Sequence, residues 1–137
     1  MKLIPYIMFS GDAEQALNFY KEVLNGEIKD INRFGEAPMN NTPEGHKDKI
    51  LHSTFLFGGN TIMVSDSMPG QEAASDSNIH LSIDMPDADE LQQVFTKLSV
   101  GGEITMPLQD TFWGATFGML TDKFNVKWMF NHDKKKE

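Results

Sequence analysis

The sequence predicts an α+β fold made of two copies of one βαβββ module, and three observations carry that expectation. An internal repeat runs through the chain, each half holds one amphipathic helical stripe, and short β-branched and aromatic runs bounded by turn residues follow each stripe. The repeat is gapless at an offset of 76 residues, from Gly26 to Gly102. At that offset Glu14 matches Glu90, Phe19 matches Phe95, Lys21 matches Lys97, and Gly26-Glu27-Ile28 matches Gly102-Glu103-Ile104. Identical residues with identical punctuation argue for duplication of one unit.

Each copy opens on an extended run, Pro5 to Phe9 in the first and Asn78 to Asp84 in the second. In the first helix Ala13, Ala16, Leu17, Tyr20, Val23 and Leu24 recur at helical spacing, with Ser10 or Asp12 as a candidate N-cap and Asn25-Gly26 as a stop. In the second, Leu91, Val94, Phe95 and Leu98 form the stripe, Asp87 is the candidate cap, and Gly101-Gly102 ends it. The remaining strands are expected over 27–34, 50–57 and 61–65, then 103–106, 113–120 and 126–131. Gly58-Gly59-Asn60 and the segment 121–125 supply turns between the last two strands of each copy. Polar stretches over 35–49 and 66–77 are expected as a mobile loop and as the connector between copies. One domain over 1–137 is expected, with module one at about 1–66 and module two at about 77–132.

Composition narrows the function classes. The chain has no cysteine, which excludes disulfides, thiolate catalysis and thiolate metal sites and gives no mark of an oxidising compartment, so a cytoplasmic location is the default expectation. No run approaches the roughly 20 apolar residues of a membrane span, and Pro5 interrupts the opening apolar residues too early for a signal peptide. A formal net charge of -8 repels a phosphate backbone, and the basic run Lys134 to Lys136 reads as a solvated tail, so nucleic acid is not an expected partner.

At the residue level the chain resembles the PhnB-like branch of the vicinal-oxygen-chelate superfamily, which includes glyoxalases, bleomycin-resistance proteins and dioxygenases. The resemblance rests on Pro5-Tyr6-Ile7-Met8-Phe9, Gly11 and the run from Glu14 to Tyr20, and most specifically on Phe112-Trp113-Gly114, Phe117-Gly118, Asp122, Phe124, Trp128 and Asn131. It implies two βαβββ modules forming a curved sheet around a cavity, helices outside, usually paired with a second chain. Asn125 stands where relatives commonly have glycine, and asparagine tolerates the left-handed turn. The branch also carries the description demethylubiquinone methyltransferase, yet the chain has no strand followed by a glycine-rich loop and helix to hold adenosylmethionine.

Metal-dependent relatives take ligands from the first and last strands of each module. Those positions fall here on Pro5 or Tyr6, on Ile62 or Met63, on Asn78 with His80 two residues on, and on Met129. Hard or borderline divalent ions need several convergent imidazole or oxygen ligands, so neither a metal nor a cofactor is expected. His52, matching a histidine of PhnB-like relatives, and His80 are the candidate acid/base residues, since an unperturbed imidazole titrates near pH ~6.5. For each, an ordinary structural histidine is an equal alternative. His46 and His132 are expected to be exposed and uninvolved, and Ser65-Asp66 is expected as a strand end and turn. Tyr6, Phe55, Met63, Asn78, Ser82, Phe112, Trp113, Phe117, Trp128 and Met129 are the candidate wall of a pocket for a small flat or apolar molecule. Two further readings stay open: a dimer that sequesters a cationic aromatic drug, and a divalent-metal lyase or dioxygenase with unusual ligands.

Overall fold

The computed structural model describes residues 1–37, 42–68, 70–73 and 76–134. The fold is α+β, and the chain divides into two units, Met1–Ala74 and Ser75–Glu137. In the first unit β1 (Tyr6–Phe9) leads into α1 (Ala13–Leu24), followed by β2 (Glu27–Arg33), β3 (Ile50–Phe57) and β4 (Asn60–Asp66). In the second, β5 (Leu81–Asp84) leads into α2 (Ala88–Leu98), followed by β6 (Glu103–Asp110), β7 (Ala115–Thr121) and β8 (Lys127–Asp133). The sheet orders are β1-β4-β3-β2 and β5-β8-β7-β6, and in each only the outer pair formed with the module's first strand is parallel. Both units therefore carry the βαβββ topology that the repeat predicts.

The repeated glycines have a steric reason. A Cβ on Gly26 would stand 2.3 Å from Phe55 Cζ and 2.8 Å from the Leu56 carbonyl oxygen, and one on Gly102 would stand 2.2 Å from the Thr121 carbonyl oxygen. At both points the chain leaves the helix hard against the neighbouring strand. The residue before each, Asn25 (φ 52°) and Gly101 (φ 77°), takes the left-handed conformation that ends the helix.

In the first unit Ala13, Ala16, Leu17 and Tyr20 of α1 are buried with Phe55, Ile62 and Val64 of the sheet, and the Tyr20 and Phe55 rings lie 6.4 Å apart. In the second, Leu91, Val94, Phe95 and Leu98 of α2 are buried with Leu120, Trp128 and Phe130; Phe95 meets Phe130 edge-on at 5.5 Å. Each fully buried large side chain contributes about 1.5–3 kcal/mol. Because strand side chains alternate, the opposite face of each sheet carries a separate set of residues.

Neither expected cap of α1 acts as one. Asp12 occupies the N-cap position without a side-chain bond, and the Ser10 hydroxyl accepts from the Ala73 amide instead. The amides of Gly11 and Ala13 go to Asp66 Oδ1, each at 2.9 Å, while Asp66 Oδ2 accepts from the Ile50 amide at 2.9 Å. Asp66 is only 2% exposed, so this strand-end carboxylate fastens β4, β3 and the start of α1 together. For α2 the expected cap is present: Asp87 accepts from the amides of Asp89 and Glu90.

Other boundaries differ for local reasons. β5 begins at Leu81, so Asn78, Ile79 and His80 precede the strand and are exposed. Residues 112–114 form a turn, closed by Thr111 N to Ala115 O (2.8 Å) and Gly114 N to Thr111 O (3.3 Å), because Gly114 adopts φ 83° and breaks the extended run. β6 runs on to Asp110 through two register shifts that absorb extra residues around Pro107. Of the expected mobile loop, residues 38–41 lie outside the described residues. Its described flanks are hydrogen-bonded, Phe34 N to Lys49 O and Gly35 N to Lys47 O. Of the basic tail, Lys135 and Lys136 lie outside the described residues, and Lys134 pairs with Asp110 at 2.8 Å.

Candidate functional site

The open face of the first sheet brings three of the candidate residues together. Tyr6 on β1 is the cross-strand partner of Met63 on β4, which in turn partners Thr54 on β3. Two residues before Thr54, and so on the same face, His52 presents Nδ1 at 3.4 Å from the Tyr6 hydroxyl, with ring centroids 6.0 Å apart. Tyr6 is 49% exposed and His52 half-buried. When the phenol donates to Nδ1, the imidazole proton resides on Nε2, free to meet a molecule on the sheet.

The open face of the second sheet carries a different patch. Ser82 on β5 partners Met129 on β8, which partners Met119 on β7. Ser82 lies 76 residues after Tyr6 and, like Tyr6, faces a methionine of the module's last strand. The pair Ser82 and Met129 is thus the counterpart of Tyr6 and Met63, and the expected ligand position at Asn78 is corrected to Ser82. At the β6–β7 turn Phe112 is 96% and Trp113 55% exposed; their rings meet edge-on at 4.9 Å, and Trp113 lies 6.2 Å from Phe117.

Four other expectations are corrected. Phe55 and Trp128 are core residues, not pocket walls: Phe55 has no exposed surface and packs beneath α1, and Trp128 is 1% exposed. The Trp128 indole donates Nε1–H to Asp122 Oδ2 at 2.9 Å, while Asp122 Oδ1 accepts from the Phe124 and Val126 amides. Burial demanded a partner for the indole, and the turn carboxylate supplies it. His46 is half-buried, 3.1 Å from the Ser67 carbonyl and 4.4 Å from the Phe34 ring; His132 is half-buried with Nδ1 2.8 Å from the Met85 carbonyl. His132 on β8 ties down the segment after β5, and His46 ties its own loop to the segments that follow β4 and β2. His80 precedes β5 and is exposed, outside the paired rows of the second sheet.

Sequence reasoning overlooked the anchoring role of Asp66, whose only local signal is a carboxylate at a strand end. It also missed that three methionines would share one row, because the register shifts in β6 hide the alternation.

Neither group implied by the resemblance fits these residues. No three His, Cys, Asp or Glu side chains converge among the described residues, and the first- and last-strand positions offer a phenol, a hydroxyl and two thioethers. That is a poor donor set for a hard divalent ion. A nucleotide-type cofactor such as adenosylmethionine calls for free amides at a strand-to-helix turn of a parallel sheet. Here the amides at α1 are taken by Asp66 and those at α2 by Asp87, and each sheet has one parallel pair. Two surface depressions lie elsewhere, at the β3–β4 turn and on the outer side of α2.

Residues 1–130 match the family model described as 3-demethylubiquinone-9 3-methyltransferase. The chain is 36% identical to protein YjdN of Escherichia coli over 140 residues, covering 96% of this chain and 95% of that protein. Among solved structures it resembles protein PA1353 of Pseudomonas aeruginosa (33% identity, TM-score 0.87, 98% and 99% of the two chains). It also resembles a Bacillus cereus PhnB protein titled a putative 3-demethylubiquinone-9 3-methyltransferase (30% identity, TM-score 0.81, 96% and 99%). The chain therefore belongs to the family so described, the PhnB-like branch of the vicinal-oxygen-chelate superfamily.

Proposed function

We propose that the protein binds a small flat or apolar organic molecule on its open sheet faces, without a hard divalent metal and without methyl transfer. The observation that carries this reading is the aromatic group Phe112, Trp113 and Phe117, in which two large rings stay exposed while held edge-on against one another. Exposed aromatic surface of this kind is favourable only when something covers it. Tyr6, His52 and Met63 form the second element of the reading, a polar tip beside an apolar surface, and Ser82 and Met129 occupy the matching positions of the other module. His52 is the proposed group for proton exchange with such a molecule, a reading supported by its 3.4 Å contact with the Tyr6 hydroxyl. A cytoplasmic homodimer is part of the proposal; the second chain accounts for part of the exposed apolar surface.

The test is titration with 1-aminoanthracene, a flat neutral dye. Saturable binding is expected, weakened about tenfold in W113A and in Y6A while both variants keep the far-ultraviolet spectrum of the parent. Binding that is absent, or untouched by both substitutions, overturns the reading.

A further inference from the structure

Across the open face of the second sheet one row consists of methionines on three adjacent strands. Met106 on β6 is the direct cross-strand partner of Met119 on β7, and Met119 is the partner of Met129 on β8. All three are half-buried, so their thioethers are partly screened from water yet reachable. The adjoining row is Ile104, Leu120 and Trp128, with no sulfur at all, and its Leu120 and Trp128 are buried. A row that needed only apolar bulk could have used the same branched and aromatic residues.

Partners on one face have Cβ atoms about 5 Å apart, which places the outer two methionines about 10 Å apart. Each thioether sits on a flexible arm, so the outer arms can lean inward over the central one and bring three sulfurs to a common point. Thioethers select soft ions such as Cu(I), and a chain without cysteine has no thiolate to compete for one. The surrounding groups do not repel a cation. Ser82 ends the row, and Asp84, Gln109 and Asn131 lie in the next row with Phe117, while Lys127 on the other side is engaged by Asp76 at 2.9 Å.

We propose that Met106, Met119 and Met129 bind one soft monovalent cation, Cu(I) or its redox-stable analogue Ag(I). The site shares Met129 with the organic-ligand reading, but that reading is tested at Tyr6 and Trp113, which lie outside the row, so either can fail alone. The experiment is titration of the full chain with silver nitrate in chloride-free buffer, followed by the methyl resonances of 13C-methyl-methionine and by native mass spectrometry. Expected are one bound ion per chain and saturable shifts shared by three methionine methyls. M119L, and separately M106L and M129L, weaken binding about tenfold or more, while M68L, at an exposed methionine that is not in the row, leaves it unchanged. Methionine-to-leucine exchange conserves volume and keeps the fold, and three separate variants guard against one that does not. No saturable shift at stoichiometric silver, or affinity equal to the parent in all three variants, overturns the site.

Discussion

Replacing Asp66 tests whether one buried carboxylate holds the first unit together. It is 2% exposed and accepts three backbone N–H groups, from Gly11, Ala13 and Ile50, each at 2.9 Å. Hydrogen bonds to a charged acceptor contribute about 1.5–3 kcal/mol, and a buried donor left alone costs about 1–3 kcal/mol. Three full values do not add, because the Gly11 amide is only part-buried and water can reach it. D66A is therefore expected to lose about 3–5 kcal/mol. D66N keeps one oxygen for Gly11 and Ala13 but turns an NH2 toward the Ile50 amide, setting donor against donor, so about 2–3 kcal/mol is expected. Equilibrium urea unfolding at neutral pH, followed by circular dichroism, reads both. The two variants should also loosen the Tyr6–His52 contact, since the strands that carry these residues end or begin at the fastened point. A D66A protein within about 1 kcal/mol of the parent would falsify the argument, because the two buried amides, of Ala13 and Ile50, cannot be left unpaired that cheaply.

G102A pushes a Cβ into the Thr121 carbonyl oxygen, 2.2 Å away, and should cost about 3 kcal/mol in the same urea assay, whereas G59A, with nothing within 4 Å, should show only the strain of its φ of 81°. N125G relieves a non-glycine residue at φ 72° and should leave stability unchanged or raise it by up to about 1 kcal/mol. The Arg33 guanidinium, hydrogen-bonded to Glu14 at 2.7 and 3.2 Å, holds the Glu14 carboxyl below its ordinary value of 4.5. A depressed carboxylate stabilises fully above its unfolded value and loses that contribution as pH falls through the folded one, so the effect should fade below about pH 4.5. Because Glu14 is half exposed the gain is under about 1 kcal/mol and salt-sensitive, and R33Q should flatten the acid limb of the stability profile measured at low ionic strength.

The candidate sites were legible in part. Tyr6, His52 and Met63 could be proposed from strand positions, and the first and last strands of each module could be located because alternation and turn residues are local signals. Phe55 and Trp128 could not be told from pocket residues, since an aromatic side chain in a strand looks the same whichever face it joins. Their fate depended on the register that sets Phe55 beneath α1 and on the Asp122 carboxylate that satisfies the Trp128 indole. His80 shows the opposite error: alternation from Asn78 to Asp84 suggested a strand, but pairing with β8 begins only at Leu81.

What the sequence determined by itself was the module, because a 76-residue repeat, helical periodicity and glycine stops are all properties of residues close together in the chain. Gly26 and Gly102 mark the duplication in the sequence, yet the reason they must be glycine, a neighbouring carbonyl oxygen where a Cβ would stand, exists only after the strands have paired. Likewise Asp66 reads as a turn residue until three amides from distant segments close on it. The methionine row appears only once β6, β7 and β8 lie side by side, because cross-strand register is set by backbone pairing between segments that local sequence does not specify.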